Sequence, residues 1–360
     1  MIDLGVVCAG DDLGDVISFN CSDGRQTKSE MYSSSTASVT FRAPSSMPAS
    51  YVIGALAQIR YTTNSTTYYL YSGYITNISY NYGIVSEMDT ATISLEGYLS
   101  FMGRGQLEGF TLTGGTTGAE AVRVGTAMTG TAKTISNQGT KSYTDSSSYT
   151  GAAQNIITQL VATEQGRLGQ GANALYFYGR DVIQDPTAAP YYFSNWAFTD
   201  AGPALHGWAY DEVTFASLTD NYFTQTTINP ASYATQQAGT GSRNLSIDTY
   251  DASAAQAANL AAYVLGEFDD NTSVPVSVST KESLDNYQSP ALIMDNGAVG
   301  WRLPITLRGT TYNAVIEGWS VTADPNDIRY TVYVSGFEQN NYFKLDDPVY
   351  GRLDYNQLGF

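Results

Sequence analysis

Thr66-Thr67-Tyr68-Tyr69-Leu70-Tyr71-Ser72-Gly73-Tyr74, early in the chain, has a counterpart far downstream in Thr310-Thr311-Tyr312-Asn313-Ala314-Val315-Ile316-Glu317-Gly318-Trp319. Each stretch follows a segment ending in arginine, Arg60 or Arg308. Each leads through a polar loop with an aspartate, Asp89 or Asp327, into an alternating segment. That segment closes on glycine and an aromatic ring, Glu96-Gly97-Tyr98 or Ser335-Gly336-Phe337. Alternation of apolar and polar residues with period two marks strands with one buried face. Any two Tyr- and Gly-containing hairpins can be overlaid, but four matched features in one order favour a duplicated β-unit. The two copies span 24 residues (Gly73 to Gly97) and 18 (Gly318 to Gly336), so their loops differ in length. The expected fold is mainly β, with a similar β-domain towards each end and helices between them. Three such chains would set six similar units around one axis.

Strands dominate the rest of the first third. Val16-Ile17-Ser18-Phe19-Asn20, Ser38-Val39-Thr40-Phe41-Arg42 and Ala91-Thr92-Ile93-Ser94-Leu95 all alternate, and residues 55–60 and 68–74 read as an antiparallel pair. Residues 113–150 are rich in Gly, Ser and Thr with little apolar periodicity, which predicts a loop or weakly structured excursion. Helices are predicted over 152–165, with Ile156, Ile157, Leu160 and Val161 on one face, and over 253–268, capped by Asp251 or Ser253. Residues 174–178 predict a strand, 185–210 a Pro/Tyr/Trp-rich loop, and 211–228 a strand pair, with strands returning from 274. These limits divide the chain into a first β-domain (1–112), an inserted α+β and loop domain (113–210), connecting strands with an Ala-rich helix (211–273), a second β-domain (274–345) and a tail (346–360).

Composition narrows the function. Charged residues are 14% of the 360, well below the roughly 25% of ordinary domains, and 28 Tyr help fill the gap. Tyr suits both strands and protein contact surfaces. The net charge is −17 with no Lys/Arg cluster, which argues against a surface that grips nucleic acid. No apolar run is long enough for a membrane helix, and MIDLGVVCAGDD lacks the basic start of a signal peptide. Synthesis in a cytoplasm is therefore expected. The five Asn-x-Ser/Thr matches, at Asn20, Asn64, Asn77, Asn244 and Asn271, are then chance occurrences in a Ser/Thr-rich chain. Cys8 and Cys21 cannot build a disulfide framework. They read as two small half-buried thiols, with mutual pairing as the alternative.

Catalytic chemistry finds little footing. His206 in Leu205-His206-Gly207-Trp208 is the sole histidine, and there is no Gly-x-Ser-x-Gly elbow, phosphate loop or dinucleotide fingerprint. One His and two distant Cys fall short of a zinc site. The acidic runs Asp11-Asp12-Leu13-Gly14-Asp15, Asp269-Asp270 and Asp346-Asp347 sit among turn residues, where Asp serves local hydrogen bonds. Neither a glycosidase pair nor a calcium loop is favoured. No enzyme, cofactor or metal is expected.

Ordered short motifs carry a resemblance. Asp15-Val16-Ile17-Ser18, Asp23-Gly24-Arg25 and Ala37-Ser38-Val39-Thr40-Phe41 are followed by Ser72-Gly73-Tyr74-Ile75-Thr76-Asn77-Ile78. Thr163-Glu164-Gln165-Gly166 and Leu175-Tyr176-Phe177-Tyr178-Gly179-Arg180 come next, then Ser242-Arg243-Asn244-Leu245-Ser246-Ile247-Asp248-Thr249. The series ends on Phe343-Lys344-Leu345-Asp346-Asp347-Pro348-Val349-Tyr350-Gly351-Arg352-Leu353-Asp354. In this order they resemble the minor tail proteins, or baseplate and tail-tip hubs, of long-tailed (siphovirus) bacteriophages. Residues 170–174 depart from the Asp/Gly-rich turn of that pattern.

The resemblance implies two tube-like antiparallel β-barrel domains, a homotrimer around a central channel, and a place in the virion at the tail tip. Such a hub joins a six-fold tail tube to a three-fold tip. Its implied partners are its own copies and other tail proteins: a distal tail or tube protein, a tape measure, and tip or fibre proteins. No lytic domain is expected, because the sequence ends at Phe360 just after the last motif. Residues 68–78 and 314–322 are expected in the tube wall, with Tyr68, Tyr71, Tyr74, Ile75, Val315, Trp319 and Tyr333 at subunit interfaces. Residues 185–210 are expected to contact another tail protein. The alternative is a peripheral minor tail protein or receptor-binding module, which would have no need of two similar units.

Overall fold

A computed structural model describes residues 3–32, 35–129, 135–139, 141–143, 148–171, 174–184, 197–200, 207–216, 222–268, 274–284 and 288–336. The chain opens with β1 (Asp3–Cys8), β2 (Asp11–Leu13), β3 (Val16–Gly24), β4 (Thr36–Arg42), β5 (Leu56–Thr63), β6 (Thr66–Asn81) and β7 (Thr90–Glu96). A mixed region follows: α1 (Tyr98–Arg104), β8 (Gln106–Thr111), β9 (Gly115–Thr116), α2 (Thr117–Thr129), β10 (Ile135–Gln138), β11 (Ser142–Tyr143), β12 (Ser148–Ala152), α3 (Ala153–Glu164), β13 (Arg167–Gln170), β14 (Leu175–Tyr178) and α4 (Arg180–Gln184). Next come β15 (Ala197–Thr199), β16 (Gly207–Trp208), β17 (Glu212–Ala216), β18 (Gln225–Pro230), β19 (Gln236–Gly239), β20 (Asn244–Thr249) and α5 (Ala254–Glu267). The last described elements are β21 (Val274–Lys281), α6 (Ala291–Asp295), β22 (Arg302–Leu307), β23 (Thr310–Ala323) and β24 (Ile328–Gly336).

The protein is mainly β, built on a 14-stranded sheet ordered β16-β15-β22-β23-β3-β4-β7-β6-β5-β1-β2, with β24, β21 and β17 branching from β23. Among the described residues no pairing closes this sheet on itself. Period-two patterning explains its inner face. Ala37, Val39 and Phe41 of β4 and Ala91, Ile93 and Leu95 of β7 are at most 4% exposed, while the Ser and Thr between them face outwards. Burying a side chain the size of these Val, Ile, Leu and Phe contributes about 1.5–3 kcal/mol each. A second core joins Ile228 of β18 to Ala257, Leu260, Ala261 and Val264 of α5.

The duplication is written in the strand order. β3-β4-β7-β6-β5 and β17-β21-β24-β23-β22 are each antiparallel throughout and follow the same path. Each central strand carries a bulge, at Thr76 in β6 and at Glu317 in β23. Side chains agree with the backbone. Thr40–Thr92 and Ser279–Thr331 are hydroxyl pairs at matching positions, 2.9 and 3.2 Å long. Thr62–Thr67 and Thr306–Thr311 repeat the match beside the hairpin turns, at 3.1 and 3.0 Å. Aligned on the bulges, Gly97 matches Gly336 as the sequence predicts. Gly73, however, matches Ala314, and Gly318 matches Asn77. The repeat read from glycines was thus four residues out of step in the central strand.

Other expectations fare unevenly. Helices α3 and α5 occupy the predicted places, and Ser253 caps α5 by accepting from Gln256 N at 3.1 Å. Residues 113–150 correct the loop expectation, since they hold α2 as well as short strands. That helix offers small buried residues, Ala121 and Val124, instead of a long apolar stripe. It is secured by polar contacts: buried Glu120 accepts from Tyr143 Oη and Arg123, and Thr117 donates to Glu164. The predicted pair at 211–228 is also corrected. Strand β17 joins β21 in the large sheet, whereas β18 lies between β19 and β20 in another. Cys8 and Cys21 are both buried free thiols.

Candidate assembly surface

Where the two units meet within the chain, β3 lies antiparallel along the second half of β23, from Gly24–Gly318 to Phe19–Ala323. This joint buries Trp319, Val321 and Ala323 of β23 and Phe19 and Cys21 of β3, all at most 7% exposed. Its tight end needs glycine on both strands. A Cβ on Gly318 would meet the carbonyl oxygens of Asp23 and Arg25 at 2.6 Å, and Gly24 has φ +77° with Glu317 O in the way.

At this end the bulge residue Glu317 is fully buried between two cations. Arg25 Nε donates to its Oε2 at 2.8 Å, Arg167 Nη2 to its Oε1 at 2.7 Å, and Ser335 Oγ to Oε1 at 2.5 Å. Burial alone would raise its pKa, but Arg167 and Arg25 override that and hold the carboxyl at about 2. Beside it, burial pushes Asp23 up to about 6, although the Gln170 amide donates to it at 2.8 Å. Arg25, Arg167 and Glu317 thereby tie β3, β13 and β23 together.

The first unit has no such neighbour. From Thr76 onwards β6 pairs only with β7, so its other edge is open among the described residues. Among the described residues β17 pairs only with β21, so its far edge is open as well. Ile78, Tyr80 and Tyr82 stand where the bulge alignment places Trp319, Val321 and Ala323. Instead of being covered, Tyr80 is 42% and Tyr82 79% exposed. The following loop adds Ile84, Val85 and Met88, and the turn before β5 adds Val52 and Ile53, all large and exposed. Large exposed apolar side chains of this kind make these stretches candidates for a contact site.

The residues expected at subunit interfaces have these places within the single chain. Tyr68, Tyr71, Ile75, Val315 and Trp319 are buried within the single chain, and Tyr74 and Tyr333 are half-buried. Tyr71 Oη lies 3.2 Å from Ser35 Oγ in that interior, and Tyr74 stacks on Phe101 at 4.4 Å. Sequence reasoning did not single out Ile78, Tyr80, Tyr82, Val213 or Phe215, which alternate along the two strands left without a partner on one side among the described residues.

Of the acidic runs, Asp11 and Asp12 lie in β2, where Ser50 Oγ donates to Asp11 at 2.6 Å and Arg60 Nε to Asp12 at 2.6 Å. His206, Asp269, Asp270, Asp346, Asp347 and most of 185–210 lie outside the described residues. Among the described residues no cluster of three His, Cys, Asp or Glu could hold a metal, and no helix is long and apolar enough to cross a membrane.

This fold is that of phage tail proteins. The tail protein from Neisseria meningitidis MC58 matches with a TM-score of 0.63 at 10% identity, covering 92% of this chain and 96% of that one. The 43 kDa tail protein of prophage MuSo2 from Shewanella oneidensis matches at 0.59 and 12% identity, over 93% and 97%. The E. coli c3393 protein, a type VI secretion component described as similar to T4 bacteriophage tail proteins gp27 and gp5, matches at 0.52 and 11% identity over 93% and 77%. No protein-family model and no curated protein sequence matches the chain.

Proposed function

We propose that the protein is a non-enzymatic baseplate hub of a phage tail tip, acting as a homotrimer around a central channel and joining the six-fold tail tube to a three-fold tip. The carrying observation is the repeated five-strand unit, whose two copies in one chain let three chains offer six similar units. The shared fold with phage tail proteins supports the same reading. In the assembled ring each unit completes a tube-like barrel domain with its neighbours, which removes the open edges that a single chain leaves. Function then lies in geometry, and the net charge of −17 fits a protein that repels DNA phosphates instead of binding them. Distal tail, tape-measure and tip or fibre proteins are its partners. Gold-labelled antibody against the chain on intact virions tests the reading: label on the axis at the tail tip is expected, and label on fibres, tail shaft or head would overturn it.

A further inference from the structure

The described residues contain one finished joint and leave the two halves of a second one open. Within the chain, β3 of the first unit lies on β23 of the second. By the repeat, β17 is the second unit's β3, and β6 is the first unit's β23. Among the described residues these are the strands whose edges stand free. We infer that β17 of one copy pairs antiparallel with the second half of β6 in the next, in the register that the internal joint dictates. This rests on the trimeric hub reading and specifies its contact.

The register follows residue by residue. Val39 of β4 matches Val278 of β21, because their partners Ile93 and Val332 match across the bulge alignment. Phe19 faces Val39 and Val213 faces Val278, so Val213 stands for Phe19, and Thr214 for Asn20. The next position along is Phe215 in β17 and Cys21 in β3. In the internal joint Ala323 faces Phe19, Thr322 faces Asn20, and Val321 faces Cys21. Between copies Tyr82 therefore faces Val213, Asn81 faces Thr214, and Tyr80 faces Phe215.

The chemistry agrees. The inward positions of the internal joint are apolar and covered; the same positions of the open edges are apolar and uncovered, with Val213 and Phe215 only partly buried. Residues 76–82 carry no charge, so no like charges are opposed. Aromatic and β-branched cross-strand pairs are stabilising. A head-to-tail contact of this sort closes into a ring when its rotation matches, and an internal joint alternating with an equivalent external one supplies nearly equal steps.

The test is a cysteine pair in the full chain, Asn81→Cys with Thr214→Cys, both on exposed positions. It is treated with mild oxidant or a short bis-maleimide, and its mass is followed by light scattering. Covalent ladders up to three chains are expected. The single variants, the parent with its buried Cys8 and Cys21, and the shifted pair Asn81→Cys with Ala216→Cys, about 7 Å out of register, should stay uncrosslinked. Tyr80→Asp should weaken self-association at least tenfold without lowering the melting temperature. A trimer that does not cross-link at this pair, or cross-links better at the shifted one, overturns the inference and leaves the hub reading standing. A chain that stays monomeric at all accessible concentrations overturns both.

Discussion

Replacing Glu317 by glutamine should expose how much the internal joint depends on its buried ion triad. The change keeps the shape but leaves Arg167 and Arg25, whose side chains are only 9% and 11% exposed, without a counter-charge. A carboxyl held at about 2 against an ordinary 4.5 corresponds to roughly 3 kcal/mol of favourable interaction in the folded state. Removing one partner of a buried ion pair costs about 3–5 kcal/mol by comparison with other proteins. Urea denaturation at pH 7 should therefore show a loss of about 3 kcal/mol. The pH dependence has a fixed sign. Because the folded pKa is depressed, the stabilisation is complete above about 4.5 and disappears as pH falls to about 2. The gap between parent and variant should close over that window. A loss under about 1 kcal/mol at pH 7, or a gap that persists unchanged at pH 2, would refute the reasoning.

Other perturbations test neighbouring features. Asp23→Asn should stabilise at neutral pH by about 1–2 kcal/mol, discounted for the residue's partial exposure, since its folded pKa of about 6 exceeds the ordinary 3.8. That gain should vanish below about pH 4, as denaturation series across pH would reveal. Gly318→Ala pushes a methyl into two backbone carbonyls and should cost about 1–3 kcal/mol, read by thermal melting. Ser253→Ala removes the α5 cap, whose partner Gln256 also returns a bond to Ala252 N at 2.8 Å, and should cost about 1 kcal/mol in the same assay.

The alternating segments made the sheet legible in advance, because period two can satisfy only one face. Ser253 and the apolar stripe of residues 156–161 did the same for α5 and α3. Helix α2 was not legible, because its stabilisation comes from buried polar contacts to residues distant in sequence, such as Tyr143 and Glu164. The hairpin repeat was visible as a pattern, but glycine misled its register: Gly318 is required by the close approach of β3, a tertiary demand that the first unit does not share. Aromatic richness could not separate interior from exposed positions. Tyr71 and Trp319 fill the core, while Tyr80 and Tyr82, equally aromatic, lie open on an edge that only the pairing map reveals.

An electron cryomicroscopy reconstruction of tail tips containing this chain tests the central claim most directly. The account predicts three copies on the tail axis, with six five-strand units surrounding one channel. Copies placed off the axis, or a ring whose two units per chain are not alternately arranged, would contradict it.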